Sequence, residues 1–595
     1  MSILANLYHT LQKTDLSLNT FKKVLSINPR STHALNDLGN IYKEMGDLEK
    51  AKKYYQKALK YDSGLAGTYN NLGVIYLEQG KPKEALENLN KAIEIDRQFA
   101  MAYYHRGLIY EKRHQLDLAI DDFGAALRIN NHLGPAQSLL VHALKQSCYW
   151  KKFEKEVKVL DKLTKDELEG KSKTISDTPF LNVIRNDDLS QNQKIAIAQS
   201  AVIENNIGYE HPYSYPTPKK KKVLRIGYLS ADFFDHATAH LTLGLFKTHS
   251  REKFTVYAYS YGIDDGSKYR QQIQKDCDVF RDINSLGFRQ AADKIYQDQI
   301  DILVDLKGHT RNNRLEIAAY RPAPIQVSYL GFPGTTGATF MDYFITDRVV
   351  TPLEYGQYFS EKLVFLPNSY QVNNDQREIA DITYNKSDFG LPENAFVFCS
   401  FNHTYKIDSG TFKSWVHILS KVPNGVLWLL KSNSFAVDNL RKEAISNGID
   451  PNRLIFSPLL PNPSHLARLK LSDLALDPFI CNGHTTTSDF LWAGVPVITL
   501  KGKHFASRVA ASLVSAVDLP ELATDSPKEY EKLAIHLATN PSKLKIIKDF
   551  LVQNRKTFPL FETKRFVTNL EKAYLMMWDI YSKNEKPHLL EVKED

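Results

Sequence analysis

Cysteine is scarce in this chain: four residues in 595 (Cys148, Cys277, Cys399, Cys481), far apart, with no CxxC and no Cys/His pairing. That scarcity excludes a disulfide framework and a structural zinc site. Long apolar runs are missing as well. Nowhere do about 18 apolar residues follow one another, and the opening MSILANLYHTLQKTDL has no basic flank before an apolar stretch. A membrane span and a secretory leader are therefore not expected, and the expected compartment is the cytoplasm. Neither sign of charge dominates. The net charge of +8 is small for this length, so it admits an anionic ligand without indicating a nucleic-acid binder. There is no GxxxxGK[ST] loop and no GxSxG elbow. One Asp-x-Asp exists, Asp276-Cys277-Asp278, but it precedes a short strand instead of ending one and is not read as a metal clamp. What remains is an ordinary globular composition, 43% hydrophobic and 24% charged, long enough for three or four domains.

The first 130 residues repeat themselves. Gly39, Gly73 and Gly107 fall 34 apart, as do Tyr42, Tyr76 and Tyr110, and Ala51, Ala85 and Ala119. That is the period of a tetratricopeptide repeat, a helix–turn–helix unit that buries its apolar face by stacking on its neighbours. An incomplete unit covers residues 1–30 and a diverged one follows 132, so the array is assigned to 1–150. Its functional reading is a concave groove for an extended peptide of a protein partner, and its bland reading is a spacer or dimerisation surface. Residues 151–222 read as a polar helical linker ending in HPYSYPTPKKKK, where Pro212, Pro216 and Pro218 forbid regular helix. Lys219–Lys222 reads as a nuclear import signal or, preferably, as the solvated flank of a strand.

From 223 the pattern changes to short apolar strands alternating with amphipathic helices. Strands are predicted at 223–230, 254–261, 301–306, 325–330 and 343–347, and after a less regular stretch at 396–402, 425–431, 453–457, 474–477 and 495–500. Continuous apolar runs separated by helices mean parallel sheets covered on both faces, here two Rossmann-like domains facing a cleft.

Ligands of such sheets sit beyond the carboxyl ends of the strands. After the first strand, ADFFDHATAH carries His236 and His240, four apart and on one face if a helix opens there. Two imidazoles at a strand end can donate to phosphate or shuttle a proton, or can merely cap and pack. Gly331-Phe332-Pro333-Gly334 lets backbone approach a ligand closely. SFNHTYKID puts His403 and Lys406 just past a buried strand, where a lysine anchors phosphate unless it is spent on a surface ion pair. The strongest local signal is DPFICNGHTTTSDFLWAG. Gly483-His484-Thr485-Thr486 lies between a strand end and a helix start, a ready diphosphate site, with Asp489 one turn on and able to hold a ribose hydroxyl. An N-cap alone explains the threonines but not the glycine and histidine beside them.

With IGYLSADFFDHATAHL, RPAPIQVSYLGFPGTTGATFMDYFITD, YKIDSGTFKSWVHILSKVPNGVLWLL and NRLIFSPLLPNPSHLARLKLSDLALDPFICNGHTTTSDFLWAGVPVITL in hand, the chain from about residue 30 to 585 closely resembles the O-linked N-acetylglucosamine transferase family. The resemblance implies an α-solenoid of tetratricopeptide repeats (1–150), a linker (151–222) and a two-lobed GT-B glycosyltransferase, with an N-terminal lobe at 223–370, a donor-binding lobe at 371–585 and a tail at 586–595. It implies transfer of N-acetylglucosamine from UDP-N-acetylglucosamine to protein serine or threonine, with inversion, with no cofactor and no metal. By position, Lys406 would neutralise the diphosphate and Thr485 and Thr486 would bind it. His465 and Arg468 would hold uracil and ribose, with His484 and Asp489 completing that pocket. Gly331 and Pro333 would line the sugar site, and His236 and His240 the reacting centre, His236 being the preferred group for proton transfer.

The family usually has lysine where this chain has Asn462 and glutamine where it has His403, which bears on donor affinity. The long insertion between lobes found in mammalian members is absent. The asparagine ladder of the repeat groove keeps Asn71 but has Asp37 and His105 at the equivalent places. Two other readings stand beside the transferase. One is a related fucosyl branch using a GDP donor, disfavoured by His484 and the His465–Arg468 segment. The other is an inactive repeat scaffold, disfavoured by Lys406, His236 and the His484–Thr486 loop occurring together.

Overall fold

A computed structural model describes residues 1–11, 13–171, 175–208, 212–215 and 221–594. The chain divides into two compact units, residues 1–147 with 151–161, and residues 148–150 with 162–595.

The first unit is built of antiparallel helix pairs. Ser2–Thr10 is followed by Thr14–Ile27, Thr32–Glu44 by Leu48–Tyr61, Ala66–Glu78 by Pro82–Ile95, and Ala100–Lys112 by Leu116–Ile129. The periodic glycines are explained by helix contact. A Cβ at Gly39 would lie 2.3 Å from the Tyr55 ring, one at Gly73 2.7 Å from Leu89, and one at Gly107 2.7 Å from Phe123. Ala51, Ala85 and Ala119 are completely buried for the same reason. A diverged pair, Gly134–Gln146 and Trp150–Asp166, ends the array, so its second helix runs past the expected boundary at 150.

The second unit holds two parallel sheets. In the first, β1 (Leu224–Ser230), β2 (Phe254–Ser260), β3 (Val279–Asp282), β4 (Ile302–Asp305), β5 (Ile325–Ser328), β6 (Tyr343–Thr346), β7 (Lys362–Phe365) and β14 (Leu590–Glu591) take the order β14-β7-β6-β5-β4-β1-β2-β3. In the second, β8 (Phe396–Ser400), β9 (Gly425–Leu430), β10 (Leu454–Ser457), β11 (Leu474–Leu476), β12 (Val497–Leu500) and β13 (Ala523–Thr524) take the order β10-β9-β8-β11-β12-β13. Each sheet reverses its winding once, between β1 and β4 and between β8 and β11. The crevice at such a reversal, beyond the strand ends, is where an open parallel sheet takes its ligand.

Two expected boundaries change. The helix Thr563–Ser582, assigned by sequence to the donor lobe, returns to the first sheet: Tyr574 Oη lies 3.1 Å from Tyr228 Oη, and Glu571 Oε1 accepts from Ser250 N at 2.7 Å. Residues 586–595, read as a tail, contain β14, which pairs with β7. A strand of two residues, one apolar and one charged, is too short to show periodicity. The linker is also more than a spacer. Ile203 packs with Leu315, Ala318 and Phe340, and Val183 and Ile184 pack with Phe332, Cys481 and Ala506. Of the lysine run, Lys219 and Lys220 lie outside the described residues, while Lys221 pairs with Asp301 and lies over the Trp578 ring. No helix of the described residues is long and apolar enough to cross a membrane.

Candidate active site

The loops that follow β8 and β11 meet at the reversal point of the second sheet. Lys406 closes the short turn Thr404–Lys406, and its Nζ donates to the Asn482 carbonyl oxygen at 2.6 Å. Asp477, just past β11, is fully buried. Its Oδ1 accepts from Gly483 N at 2.7 Å and its Oδ2 from Thr499 Oγ1 at 2.8 Å. Burial pushes its carboxyl up to about 7. Gly483 has no alternative there, because a Cβ would stand 2.6 Å from Thr487 Oγ1 and 3.1 Å from Asp477 Oδ1.

The helix Thr485–Ala493 starts at the threonines. Its first amides have no intrahelical acceptor and its dipole favours an anion. The His484 ring is held neutral by burial, and its Nε2 is buried without a hydrogen-bond partner. Unmatched donors at a helix start beside a lysine make a phosphate cradle.

One turn on, Asp489 forms a buried ion pair with Arg377, and its Oδ2 lies 3.9 Å from His465 Nε2. Arg468 is completely buried, with its guanidinium 4.2 Å from the Phe401 ring centre. It donates from Nη1 to Pro458 O at 2.7 Å and from Nε to His465 Nδ1 at 3.0 Å. That bond fixes the tautomer of His465, whose pKa burial brings down to about 4, so the neutral ring carries its hydrogen on Nε2. Arg468 thus orients the His465 ring. His403 is exposed and stacked on Tyr405 at 6.0 Å.

In the first sheet the same reversal brings the loops after β1 and β4 together. Lys307 Nζ donates to both oxygens of Asp232, at 2.9 and 2.8 Å, in a buried pair, and Thr238 Oγ1 donates to Asp232 Oδ2 at 3.3 Å. Asp305, fully buried beside them, accepts from Gly308 N at 2.6 Å, and burial raises its carboxyl to about 6. His236 caps the helix Ala237–Thr248. Its Nδ1 accepts from Thr238 N at 3.2 Å and stands 3.5 Å from Asp232 Oδ2. Burial lowers its pKa, so the neutral ring keeps its hydrogen on Nε2 and presents a donor. A base would need the opposite tautomer. His240 is in the first turn, with Nε2 2.7 Å from Asp235 Oδ1.

Gly331 packs under the loop after β4, where a Cβ would stand 2.0 Å from Leu306 O, and Pro333 is buried next to it. The loop is pinned behind by Thr335 Oγ1 donating to Glu361 at 2.6 Å and by His309 Nε2 donating to Thr336 O at 2.6 Å. The two lobes meet around these groups. Gln371, on the segment between sheets, donates to Ser488 Oγ at 2.6 Å, and a cavity of about 170 Å³ is lined by His240 and Tyr269 from one side and Asn462 from the other, with Arg377 between.

Sequence reasoning missed Asp232, Lys307, Asp477 and Arg377. The first three announce themselves only weakly: Asp232 and Lys307 lie two and one places past predicted strands, and Asp477 is the last residue of one. Arg377 sits in the irregular stretch between lobes. Asp278, of the lone Asp-x-Asp, is occupied by Arg251 Nε at 2.9 Å and by Val256 N at 2.7 Å. Among the described residues no group of three or more His, Cys, Asp or Glu is placed to hold a metal.

In the repeats, the places of the altered ladder are still hydrogen-bonded. Asn6 Nδ2 donates to Asp37 at 3.4 Å, Asn71 Nδ2 to Asn40 Oδ1 at 2.9 Å, and His105 Nδ1 lies 2.7 Å from Asn70 Oδ1.

Two parallel sheets, each reversed once so that its loops meet beyond the strand ends, with an anion cradle on the second, make a two-lobed fold suited to a phosphorylated ligand, and the comparisons give its family. The family model described as glycosyl transferase family 41 matches residues 147–385 and 377–570, and tetratricopeptide repeat models match 2–31, 33–98 and 70–133. The chain belongs to glycosyl transferase family 41. It is 41% identical over 409 residues to the probable UDP-N-acetylglucosamine–peptide N-acetylglucosaminyltransferase SEC of Arabidopsis thaliana, over 67% of this chain and 42% of that protein. It is 28% identical over 555 residues to the UDP-N-acetylglucosamine–peptide N-acetylglucosaminyltransferase of Caenorhabditis elegans, over 73% of this chain and 48% of that protein. The chain thus spans less than half the length of these relatives. A solved structure of a Thermobaculum terrenum O-GlcNAc transferase mutant has the same fold, with TM-score 0.68 and 24% identity over 93% of this chain and 98% of that one.

Proposed function

We propose that this chain transfers N-acetylglucosamine from UDP-N-acetylglucosamine to serine or threonine hydroxyls of proteins, with inversion and without a metal. The observation that carries this reading is the cradle at the start of helix Thr485–Ala493, where Lys406, the unpartnered His484 Nε2 and free first-turn amides surround one loop. The names of the Arabidopsis and Caenorhabditis relatives support the choice of donor and acceptor.

In the step itself the acceptor hydroxyl oxygen bonds to C1 of the sugar as the C1–oxygen bond to the diphosphate breaks, and UDP leaves with the electron pair. Lys406 and the helix dipole stabilise the charge that grows on the leaving group. Thr485 and Thr486 add hydroxyls at the same end, and His465 and Asp489 receive the nucleoside, with Arg468 orienting His465. His236 presents a donor to the reacting centre, next to His240, and the hydroxyl proton passes to an oxygen of the departing diphosphate, a base that needs no protein group of the right tautomer. Gly331 and Pro333 form the wall behind the sugar, and His403 lies at the rim. The repeats would select acceptors through the polar groups of their groove.

The test is incubation of the purified chain with UDP-N-acetylglucosamine and a serine- and threonine-rich peptide. The reading expects UDP release and a peptide mass gain of one N-acetylhexosamine, located on a hydroxyl residue. A peptide left unmodified with every acceptor in a broad peptide library, while UDP-N-acetylglucosamine stays intact, would overturn it.

A further inference from the structure

Arg377 lies between β7 and β8, on the segment that joins the lobes and belongs to neither sheet. Its side chain is 3% exposed and that of Asp489 8%, so two formal charges from distant parts of the chain are buried against each other. A buried guanidinium is tolerated only where its charge is matched, and losing one partner strands the other. The match here is incomplete. Nη2 is paired with Asp489 Oδ1, while Nη1 is buried without a hydrogen-bond partner.

Asp489 presents its second oxygen, Oδ2, to His465 Nε2 across 3.9 Å, too far for a direct hydrogen bond. Arg468 Nε already donates to the other ring nitrogen, which leaves the hydrogen on Nε2. A carboxylate acceptor and an N–H donor at this separation fit one hydroxyl between them, accepting from His465 and donating to Asp489, each over about 2.8 Å.

We infer that Arg377 is a positioning residue for the donor: by occupying Oδ1 of Asp489 it fixes the carboxylate so that Oδ2 and His465 Nε2 form a slot for one ribose hydroxyl. This rests on the nucleotide-sugar reading above. Arg377 itself lines the 170 Å³ inter-lobe cavity together with His240, Tyr269 and Asn462. The arginine's place on the joining segment also ties the slot to the relation between lobes. A site lacking Arg377 loses the preset carboxylate while keeping Lys406 and the helix start.

The test compares calorimetric titrations of UDP, 2′-deoxy-UDP and 3′-deoxy-UDP into the wild-type chain, Arg377→Gln and Arg377→Lys, with steady-state kinetics on UDP-N-acetylglucosamine. The wild type should lose about ten- to a hundredfold in affinity when one of the two hydroxyls is removed, the range of a hydrogen bond to a charged group. Arg377→Gln should bind UDP about tenfold more weakly and hardly distinguish it from either deoxy analogue, with KM raised and kcat changed by less than about threefold. Arg377→Lys keeps the charge without the planar fork and should recover part of the discrimination, which a role confined to folding would not produce. Full discrimination in both variants overturns the inference alone, and if Arg377→Gln does not fold, full discrimination in Arg377→Lys does so by itself. A wild-type chain that binds no UDP overturns the donor reading, and the inference with it.

Discussion

Lys406 and Asn482 come from loops 76 residues apart, yet the lysine Nζ donates to the asparagine carbonyl oxygen at 2.6 Å. The same cation that would meet a diphosphate therefore also holds the loop whose next residues open the helix Thr485–Ala493. Asn482 is itself fixed, its Nδ2 donating to Pro478 O at 2.8 Å and its backbone N–H to Ala506 O at 2.8 Å. A phosphate oxygen arriving at Lys406 would find the ammonium already aimed.

Replacing Lys406 with alanine should lower kcat by about 2–4 kcal/mol of transition-state stabilisation, the usual cost of losing one preorganised charge at a developing anion. Single-turnover kinetics with saturating donor read this directly. A rate within about threefold of wild type would remove Lys406 from the leaving-group role.

Asp477 gives the donor site a pH dependence of definite sign. Its carboxyl is raised to about 7 by burial, so it is neutral below that value and ionised above it. Ionisation places a negative charge next to Lys406 and the diphosphate, and affinity for UDP-N-acetylglucosamine should fall as pH rises from 6 to 8. The donor has no group of its own titrating in that interval. Asp477→Asn should flatten the profile, and a wild-type profile already flat between pH 6 and 8 would contradict the assignment.

The Lys307–Asp232 pair is 6% and 8% exposed in its side chains. Lys307→Met should cost about 3–5 kcal/mol, because Asp232 is left buried without its cation. The double variant Asp232→Asn with Lys307→Met should regain a large part of that loss, since no charge is then stranded. Urea unfolding of the wild type, both single variants and the double variant measures it, and additive losses would show that the two side chains do not act as a pair.

Removing residues 1–130 deletes the regular repeats while leaving the residues of both sheets. Hydrolysis of UDP-N-acetylglucosamine should persist and glycosylation of protein acceptors should fall. Parallel loss of both activities would mean that the repeats support the catalytic fold instead of choosing its substrates.

Most of the fold was legible because its elements are periodic or long. The 34-residue spacing of Gly39, Gly73 and Gly107 reports helices close enough to exclude a Cβ, and ten strands were found within one or two residues of their ends, being continuous apolar runs. β7, β13 and β14 were missed and β3 was read only as a short strand after Asp278: β13 and β14 are two residues long, β3 is only half-buried, and such strands are fixed by their neighbours. In the site, residues at strand ends could be named from sequence, but their partners could not. Nothing local links Lys307 to Asp232 or Arg377 to Asp489, which stand 75 and 112 positions apart in the chain and meet only in the fold. The His236 tautomer was equally hidden. It is decided by the Thr238 amide, which reaches Nδ1 only because the helix begins at Ala237.

The central claim is that the cradle at Lys406 and His484 takes a uridine diphosphate sugar without a metal. Calorimetric titration with UDP-N-acetylglucosamine and with GDP-fucose, each with and without EDTA, tests it most directly. The account predicts binding and UDP release with the uridine donor, unchanged by the chelator, and no measurable binding of GDP-fucose. Preference for GDP-fucose, or loss of binding in EDTA, would contradict it.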